Sequence, residues 1–295
     1  MARVLIAGCG YTGIALGTRL AEEGHVVWGL RRHPELLPGA IRPLKADLCD
    51  PRSLSPVPPA LDFVFYTASA DHSDDASYQA AYVTGVRNLL DHLSQTGQQL
   101  RRLLFTSSTA VYAQTDGEWV DEASETRPLE FYGRRLLEGE CLLLRGPFPA
   151  TVIRMAGIYG PGRTRLIDQV RRGEVTSLSC EPRFTNRIHR DDCARVLRHL
   201  MSLDSPETLY LGVDDEPADQ SEVFRWLATR LGTPPPRWES RVGLSTTRSQ
   251  SNKRCRNSRL HQSGYAFRYP SFREGYEAIL ADADLQRVDR TRQVR

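Results

Sequence analysis

The stretch Val4-Leu5-Ile6-Ala7-Gly8-Cys9-Gly10-Tyr11-Thr12-Gly13 decides the fold, because an apolar run leads directly into the spacing Gly-x-Gly-x-x-Gly. A helix-like stretch follows over residues 14–23. In such a corner Gly8 permits a tight turn, Gly10 lets the backbone approach a pyrophosphate, and Gly13 lets helix and strand pack closely. The helix N-terminus offers N–H groups to phosphates. The motif predicts a dinucleotide site made of Gly8, Gly10, Tyr11, Thr12 and Gly13. The alternative is a tight βα turn that binds nothing.

Strand-like and helix-like stretches alternate along the first half of the chain. The predicted strands cover residues 3–7, 25–30, 41–46, 62–66, 102–106 and 150–154. Helices are predicted over 78–93, where apolar residues recur every three or four positions, and over 131–144. This alternation predicts an α/β protein with a Rossmann-type, doubly wound parallel sheet.

The pattern becomes less regular after residue 155, which predicts a second, smaller unit. Residues 1–155 are expected to form a dinucleotide-binding domain, to which 186–213 return with a helix over 191–201 and a strand over 208–213. Residues 156–185 and 214–280, with a helix over 221–231, are expected to form a smaller C-terminal α/β substrate lobe. Loops are predicted over 157–162 and 245–257, and a mobile tail over 281–295.

Composition excludes several classes of function. The 295 residues are 40% hydrophobic and 25% charged, which is typical of soluble globular proteins. The net charge of +3 comes from nearly balanced acids and bases, so no nucleic-acid partner is predicted. No apolar run approaches the ~20 residues that span a bilayer, so we expect no membrane association and a cytoplasmic location. The six cysteines include no Cys-x-x-Cys pair, and no metal site is predicted.

The end of the second predicted strand indicates the cofactor. Arg31 and Arg32 stand where an NAD-selective site has a carboxylate for the ribose 2′-OH, so the sequence favours NADP, with NAD as the alternative. A solvated basic turn would explain the same pair. Asp47 and Leu48 are expected beside the adenine, although Asp47 also suits a helix cap or turn. Ala68 and Ser69, after the fourth strand, complete the predicted cofactor site.

Hydroxyl side chains cluster in the run Thr106-Ser107-Ser108-Thr109 at the end of the fifth predicted strand. Ligands bind at the carboxyl ends of parallel strands, so we expect Thr106 to contact the cofactor and Ser108 to hold a substrate oxygen. Tyr132 follows Ser108 by 24 residues, at the start of a predicted helix. A tyrosine placed there can exchange a proton with the substrate. The alternatives for Tyr132 are a hydrogen bond to the cofactor ribose and packing beside Phe131.

The order of these motifs resembles the extended short-chain dehydrogenases/reductases, in particular the NAD(P)-dependent epimerase/dehydratase branch. Further shared motifs are Val83-x-Gly85-x-x-Asn88, Arg154-x-x-Gly157-Ile158-Tyr159-Gly160-Pro161-Gly162 and Ile188-His189-x-x-Asp192. The likeness covers nearly all of residues 3–280. The run over 186–192, together with Ser251-Asn252-Lys253-Arg254, is similar to an atypical bacterial subgroup, the YeeZ-like proteins.

The resemblance implies an NAD(P)-binding oxidoreductase or epimerase/dehydratase-like enzyme, with Ser108 and Tyr132 as catalytic residues. Its substrate would be a small, anionic hydroxyl or carbonyl compound, or one that resembles a nucleotide sugar. The implied cofactor is NADP or NAD, bound by the glycine-rich corner and by Tyr132. A homodimer through the helices near 78–93 and 131–144 stays open.

The sequence departs from this family at one important position. Leu136 stands where the family has the lysine of Tyr-x-x-x-Lys, which contacts the nicotinamide ribose and lowers the pKa of the tyrosine. Arg135 lies three residues after Tyr132 and is a candidate substitute cation, or simply a surface residue. Three functions therefore stay open: an active oxidoreductase, a catalytically impaired NADP(H)-binding sensor or regulatory protein, and a protein that binds the nucleotide as a structural part.

Basic and amide residues of the C-terminal half are expected to bind the substrate, because arginine forks suit phosphate or carboxylate oxygens. The predicted substrate-binding residues are Arg163, Asn186, Arg187, His189, Lys253 and Asn257. For Arg187 and His189 the alternative is structural. In that interpretation they belong to a polar hinge, in which His189 and Asp192 tie the second lobe to the sheet.

Overall fold

The computed structural model describes residues 1–178, 182–239 and 251–293. The strands are β1 (Arg3–Ala7), β2 (Val26–Arg31), β3 (Arg42–Lys45), β4 (Phe63–Tyr66), β5 (Arg102–Ser108), β6 (Glu118–Val120), β7 (Ala150–Met155), β8 (Gly157–Tyr159), β9 (Thr176–Leu178), β10 (Phe184–Thr185), β11 (Arg187–His189), β12 (Leu209–Gly212), β13 (Ala218–Asp219), β14 (Arg237–Glu239) and β15 (Lys253–Cys255). The helices are α1 (Tyr11–Glu22), α2 (Asp75–Gln79), α3 (Gly85–Gln95), α4 (Phe131–Leu144), α5 (Arg165–Arg171), α6 (Arg190–Ser202), α7 (Gln220–Leu231), α8 (Ser258–Gln262) and α9 (Phe272–Gln293).

A parallel sheet of seven strands forms the centre of the described structure, in the order β12-β7-β5-β4-β1-β2-β3. At the carboxyl end of β1, Ala7 lies opposite Leu30 of β2 on one side and Tyr66 of β4 on the other. The strand order changes direction between β1 and β4, and in such sheets ligands bind outside the carboxyl ends at this point. The predicted Rossmann-type, doubly wound sheet is confirmed.

Strand β1 is buried on both faces, which explains its continuous apolar sequence. Val4 and Ile6 pack in one core cluster, together with residues of α1 and α6. Leu5 and Ala7 pack in a second cluster on the opposite face, with residues of α3. Helices on both faces therefore fix β1 in the middle of the sheet and hold the glycine corner at its end.

A separate apolar cluster lies beyond the sheet, where Ile167 of α5 and Phe224 of α7 pack with Phe272 of α9. Strand β12 pairs with β7 at the edge of the central sheet, and α6 packs against α1. The segment that contains α6 and β12 therefore belongs with the central sheet. The division into residues 1–155 with 186–213 and residues 156–185 with 214–280 stays a prediction.

Two predicted loops contain strands. Within 157–162, β8 pairs in parallel with β11, and within 245–257, β15 pairs in parallel with β6. The remainder of the second loop, up to residue 250, lies outside the described residues. Both pairings join segments that are distant in sequence, so neither is visible in local composition. These two loop predictions are therefore wrong over β8 and β15.

The predicted tail and the predicted helix over 78–93 also differ from the structure. Residues 281–293 continue α9 instead of leaving it, and the mobility of the tail stays a prediction. Helical structure begins earlier, at α2, and a π-helical turn over Ala80–Thr84 separates α2 from α3. The buried hydroxyl of Tyr66 donates to the carbonyl of Ala81 within this turn, which accounts for the local widening. Within the described ranges, no helix combines the length and the apolar character needed to cross a membrane.

Candidate functional site

The glycine corner is closely packed at Gly8 and Gly13 and open at Gly10. Gly8 has a φ of +78°, and a Cβ there would lie 2.3 Å from the Cα of Ala68. A Cβ on Gly13 would lie 2.8 Å from the Oγ1 of Thr67, so α1 packs directly against the chain after β4. A Cβ on Gly10, by contrast, would have the carbonyl oxygen of Gly8, at 3.8 Å, as its nearest contact. No side chain caps α1, and its first turn holds no acidic residue, so the corner suits an anion.

A cavity of about 520 Å³ opens from this corner across the carboxyl ends of β1 to β4. The predicted cofactor residues that line it are Gly8, Gly10, Arg31, Arg32, Asp47, Leu48, Ala68 and Ser69. Its volume and its position at the change in strand order suit the adenosine half of a dinucleotide. The assignment of these residues to a cofactor stays a prediction.

Arg31 and Arg32 both line the cavity but have different partners. Arg31 donates from Nη1 to the carbonyl of Cys9, at 3.3 Å. Arg32 forms an ion pair with Asp71, with 2.6 Å between Nη2 and Oδ1, and this hydrogen bond lowers the pKa of Asp71. The sequence gives no signal for Asp71, because it lies in an irregular segment after β4. The cavity is therefore lined by two guanidinium groups, of which one, that of Arg32, is already paired with a carboxylate.

Asp47 has the turn geometry that was the alternative to a role at the adenine. Its Oδ1 accepts from the N–H of Cys49 at 2.9 Å, and its own N–H donates to Ser53 at 2.8 Å. Asp47 also lines the cavity beside Leu48, so its turn geometry is compatible with a role at the adenine.

Arg163 lies beside the first residue of α1 and lines a separate pocket of about 740 Å³. Its guanidinium stacks 4.1 Å from the ring centroid of Tyr11, which is the first residue of α1. The hydroxyl of Tyr11 donates to the carbonyl of Pro161 at 2.9 Å, and Arg190 stacks on the same ring at 5.3 Å. The loop after β8 therefore brings positive charge to the N-terminus of α1. The role of Arg163 in substrate binding stays a prediction.

The three hydroxyl groups at the end of β5 have three different environments. Thr106 donates to the carbonyl of Tyr66 at 2.9 Å, and Ser107 donates to Oε1 of Glu140 at 2.5 Å. The Oγ of Ser108 instead accepts from the N–H of Ala110 at 3.2 Å, and within residues 1–178, 182–239 and 251–293 its O–H donates no hydrogen bond. Among these residues, Ser108 is placed best to bind a substrate oxygen.

Tyr132 lies in the first turn of α4, close to the turn that follows Ser108. The reason is Gly133: a Cβ there would lie 2.8 Å from the carbonyl oxygen of Ala110, so helix and turn touch. Tyr132 is half-buried and, together with Tyr112 and Ser251, lines a pocket of about 50 Å³. The start of α4 therefore lies against the turn that follows Ser108, and the catalytic roles of Ser108 and Tyr132 stay a prediction.

The helix position four residues after Tyr132 belongs to the core. Leu136 is 2% exposed and packs with Val111, Tyr112 and Cys255. It cannot supply a charge to the site.

Arg135 does not replace the missing lysine. Its guanidinium binds Asp75 at 2.8 Å and Glu138 at 3.0 Å, and both hydrogen bonds raise the pKa of Arg135. The surface alternative for Arg135 therefore fits the structure, because its fork is already occupied by two carboxylates.

A buried ionic network supports the site from behind and was not predicted. Glu140 is 4% exposed and Arg154 is 6% exposed, and two hydrogen bonds of 2.7 and 3.0 Å join them. Glu140 also accepts from Ser107, and Arg154 donates to the hydroxyl of Tyr112 at 2.8 Å. The network links α4, β5 and β7. A glutamate on the apolar side of α4 was the only sequence signal.

Two predicted substrate residues hold the chain together instead. Asn186 donates to the carbonyl of Lys253 at 2.9 Å and accepts from the N–H of Cys255 at 2.8 Å, as a neighbouring strand would. Asn257 donates to the carbonyl of Val213 at 3.1 Å. These amides position β15 and the start of α8, and their predicted role in substrate binding is not tested by these contacts.

Arg187 and His189 lie inside the molecule, as the hinge alternative requires. Arg187 donates to the hydroxyl of Thr185 at 2.6 Å, and His189, 1% exposed, accepts at Nδ1 from the N–H of Asp191 at 3.2 Å. Burial lowers the pKa of His189. The predicted role of both residues in substrate binding stays a prediction.

Asp192 provides the tie between the lobes. It is fully buried, and its carboxylate accepts from the hydroxyl of Tyr265 and from the N–H groups of Arg268 and Tyr269 at 2.6, 2.9 and 2.8 Å. Lys253, the remaining predicted substrate residue, is buried beside Tyr112 and donates to its carbonyl at 3.1 Å.

Comparison with known proteins agrees with this architecture. The NAD dependent epimerase/dehydratase family matches residues 4–212. Protein YeeZ of Escherichia coli K12 is 26% identical over 285 residues, covering 92% of this chain and 97% of YeeZ.

Two solved structures show the same fold over almost the whole chain. A Methylobacillus flagellatus protein, described as a candidate NAD-dependent epimerase/dehydratase, has a TM-score of 0.79 and 36% identity, covering 96% of this chain and 99% of that one. MoeE5, solved in complex with UDP-glucose and NAD, has a TM-score of 0.73 and 25% identity, covering 93% of this chain and 96% of that one. The chain belongs to the NAD-dependent epimerase/dehydratase family.

Proposed function

We propose that the protein is a nicotinamide dinucleotide-dependent oxidoreductase that favours NADP. The observation that carries the proposal is the open glycine corner, whose cavity presents Arg31 and Arg32 at the end of β2. A guanidinium suits the 2′-phosphate that distinguishes NADP from NAD. NAD in the MoeE5 complex supports a cofactor of this chemical class, and the preference for NADP rests on the two arginines alone.

The proposed substrate is a small anionic hydroxyl or carbonyl compound, or a nucleotide sugar such as the UDP-glucose bound by MoeE5. When bound, the nicotinamide supplies or accepts the hydride. Ser108 would hold the reacting oxygen through its O–H, and Tyr132 would exchange the proton. The close contact of Gly133 with the carbonyl of Ala110 supports a common placement of these two hydroxyl groups.

Replacing Tyr132 with phenylalanine tests the catalytic role. We expect turnover to fall by about 10²–10⁴-fold, because that is the usual contribution of a positioned acid or base. The assay follows NADPH oxidation with a panel of oxidised nucleotide sugars and 2-keto acids. The control is Tyr78→Phe, which removes the hydroxyl of a neighbouring tyrosine. The ring centroids of Tyr78 and Tyr132 lie 6.2 Å apart, and this variant should retain wild-type turnover. Unchanged turnover in Tyr132→Phe would contradict the proposed mechanism.

A sensor of NADP(H) is the second candidate, favoured by the burial of Leu136 where a lysine would be expected. A sensor must bind NADPH and NADP⁺ with different affinities. Isothermal titration with each nucleotide distinguishes the two functions, because equal affinities combined with turnover support the enzyme. A cytoplasmic location and a homodimer through α3 and α4 stay predictions, the latter to be checked by sedimentation.

Arg163 provides a separate test of how the cofactor lies. Replacing Arg163 with alanine should weaken NAD and NADP equally, by about tenfold, because a pyrophosphate contact is common to both. Arg165→Ala, an exposed change two residues further on, is the matched control and should leave both affinities unchanged. A raised KM for the substrate, with unchanged affinities for NAD and NADP, would instead support the predicted role of Arg163 in substrate binding.

A further inference from the structure

A buried ammonium group lies beside the pocket of Tyr132. Lys253 is 4% exposed, and its Nζ donates to the carbonyl of Tyr112 at 3.1 Å and to Oγ of Ser251 at 2.8 Å. Both acceptors are neutral, and within residues 1–178, 182–239 and 251–293 no carboxylate pairs with it. Burying a charge without a counter-ion destabilises a fold, so such a group indicates a function.

The direction of Lys253 follows from the alternation of side chains along β15. Arg254 faces one side, where its guanidinium stacks 4.9 Å from the ring of Trp119. Lys253 and Cys255 face the other side and are both buried. Cys255 packs in the same cluster as Leu136 of α4. The face of β15 that carries Lys253 is therefore directed towards the helix that carries Tyr132.

The ammonium of Lys253 and the pocket of Tyr132 share two neighbouring residues. Tyr132, Tyr112 and Ser251 line the same space of about 50 Å³, and the last two are the residues that hold the ammonium of Lys253. A positive charge stabilises a nearby tyrosinate, and in a poorly solvated pocket this effect extends over several ångströms.

We propose that Lys253 is a positioning residue whose ammonium favours the ionised form of Tyr132, so that β15 supplies the positive charge that Leu136 of α4 cannot. The proposal rests on Tyr132 being the proton-exchanging group of the proposed function. Burial lowers the pKa of Lys253, and a tyrosinate nearby would counter this, so each group stabilises the charged form of the other.

Other cations near α4 are already paired with carboxylates. Arg135 binds Asp75 and Glu138, and Arg154 binds Glu140. Neither guanidinium therefore carries an unbalanced positive charge towards the pocket.

Arg134 is a further cation near the pocket, but it is exposed and donates to the carbonyl of Leu129, so solvent screens its positive charge. The other nearby charged groups do not favour a tyrosinate. Glu130 lines the pocket, and its carboxylate opposes ionisation of Tyr132. Burial raises the pKa of Cys255 to about 12, so this thiol is neutral near neutral pH. Glu122, which adds to that rise, is a further negative charge.

The experiment is a spectrophotometric titration of tyrosinate in the full chain. The protein has 11 tyrosines, so the signal of Tyr132 is obtained by subtracting the titration of Tyr132→Phe in each background. We expect Lys253→Met and Lys253→Gln to raise the pKa of Tyr132 by about one unit or more, since an opposite charge nearby shifts a pKa by about 1–3 units. Lys253→Arg retains the positive charge, so the pKa of Tyr132 should stay close to its value in the unchanged protein.

The chain offers a matched control, because its two lysines are Lys45 and Lys253. Lys45 is exposed on β3, and Lys45→Met should leave the titration of Tyr132 unchanged. A folded Lys253→Gln protein with an unchanged pKa of Tyr132 overturns the proposal. So does a raised substrate KM without a shift in that pKa, which would show that Lys253 binds the substrate instead.

If the neutral variants do not fold, the pKa of Lys253 can be measured instead of the pKa of Tyr132. In Lys45→Arg, Lys253 is the single lysine, and its pKa can be followed by NMR of labelled lysine. Adding Tyr132→Phe should lower that pKa, whereas an unchanged value overturns the proposal. Neither titration requires turnover, so failure of this coupling is distinguishable from failure of Tyr132 as a catalytic group.

Discussion

Replacing Glu140 with alanine is expected to lower the free energy of unfolding by about 3–5 kcal/mol, as is usual when one partner of a buried ion pair is removed. The change leaves the guanidinium of Arg154, which is 6% exposed, without its carboxylate, and Ser107 without its acceptor. Urea denaturation followed by circular dichroism measures the loss. Because Ser107 precedes Ser108, we also expect weaker catalysis in the folded fraction.

The neighbouring exposed pair gives the control for this prediction. Glu138→Gln removes one of the carboxylates of Arg135 at the surface of the same helix, and we expect a change below about 1 kcal/mol. The double change Glu140→Met with Arg154→Met removes both charges and should recover most of the stability. Equal losses at Glu138 and Glu140 would show that burial of the ion pair is not the cause.

Replacing both Arg31 and Arg32 with serine is expected to weaken NADP binding by about 10²–10⁴-fold, because each well-formed contact to a charged phosphate contributes about 1.5–3 kcal/mol. NAD lacks the 2′-phosphate, so its affinity should change by less than about threefold. Isothermal titration with both nucleotides measures the difference.

Asp71 makes this prediction sharper. Its carboxylate pairs with Arg32, so Asp71→Asn should release the guanidinium and strengthen NADP binding, with little effect on NAD. The single changes separate the two arginines, since Arg31 also donates to the carbonyl of Cys9 in the glycine corner. Equal weakening of NAD and NADP in the double variant would rule out recognition of the 2′-phosphate.

Most of the central sheet was predictable, because its signals are local. The apolar runs of β1, β4, β5 and β7 and the amphipathic helices lie within a few residues of their predicted bounds. The π-helical turn at Ala80–Thr84 was not predictable, because it depends on the hydroxyl of Tyr66 reaching the carbonyl of Ala81. Strands β8 and β15 were missed for the same reason, since their partners are distant in sequence.

The candidate site divides in the same way. The positions of Gly8, Arg31 and Ser108 follow from strand ends, because a parallel sheet brings its carboxyl ends to one edge. The position of Asn186 does not, because its amide pairs with β15, 67 residues away, instead of facing a substrate. A polar residue type shows what a side chain can bind, and only its surroundings show which partner it has.

The sequence by itself determined the βα corner and the doubly wound sheet, since glycine spacing and apolar periodicity act over neighbouring residues. Tertiary structure alone decided which charges are buried and paired. Lys253 meets Tyr112 across 141 residues, and Glu140 meets Arg154 through the packing of α4 on β7. The physical reason is that the free energy of a charge depends on the solvent and partners around it, and folding brings these from distant parts of the chain.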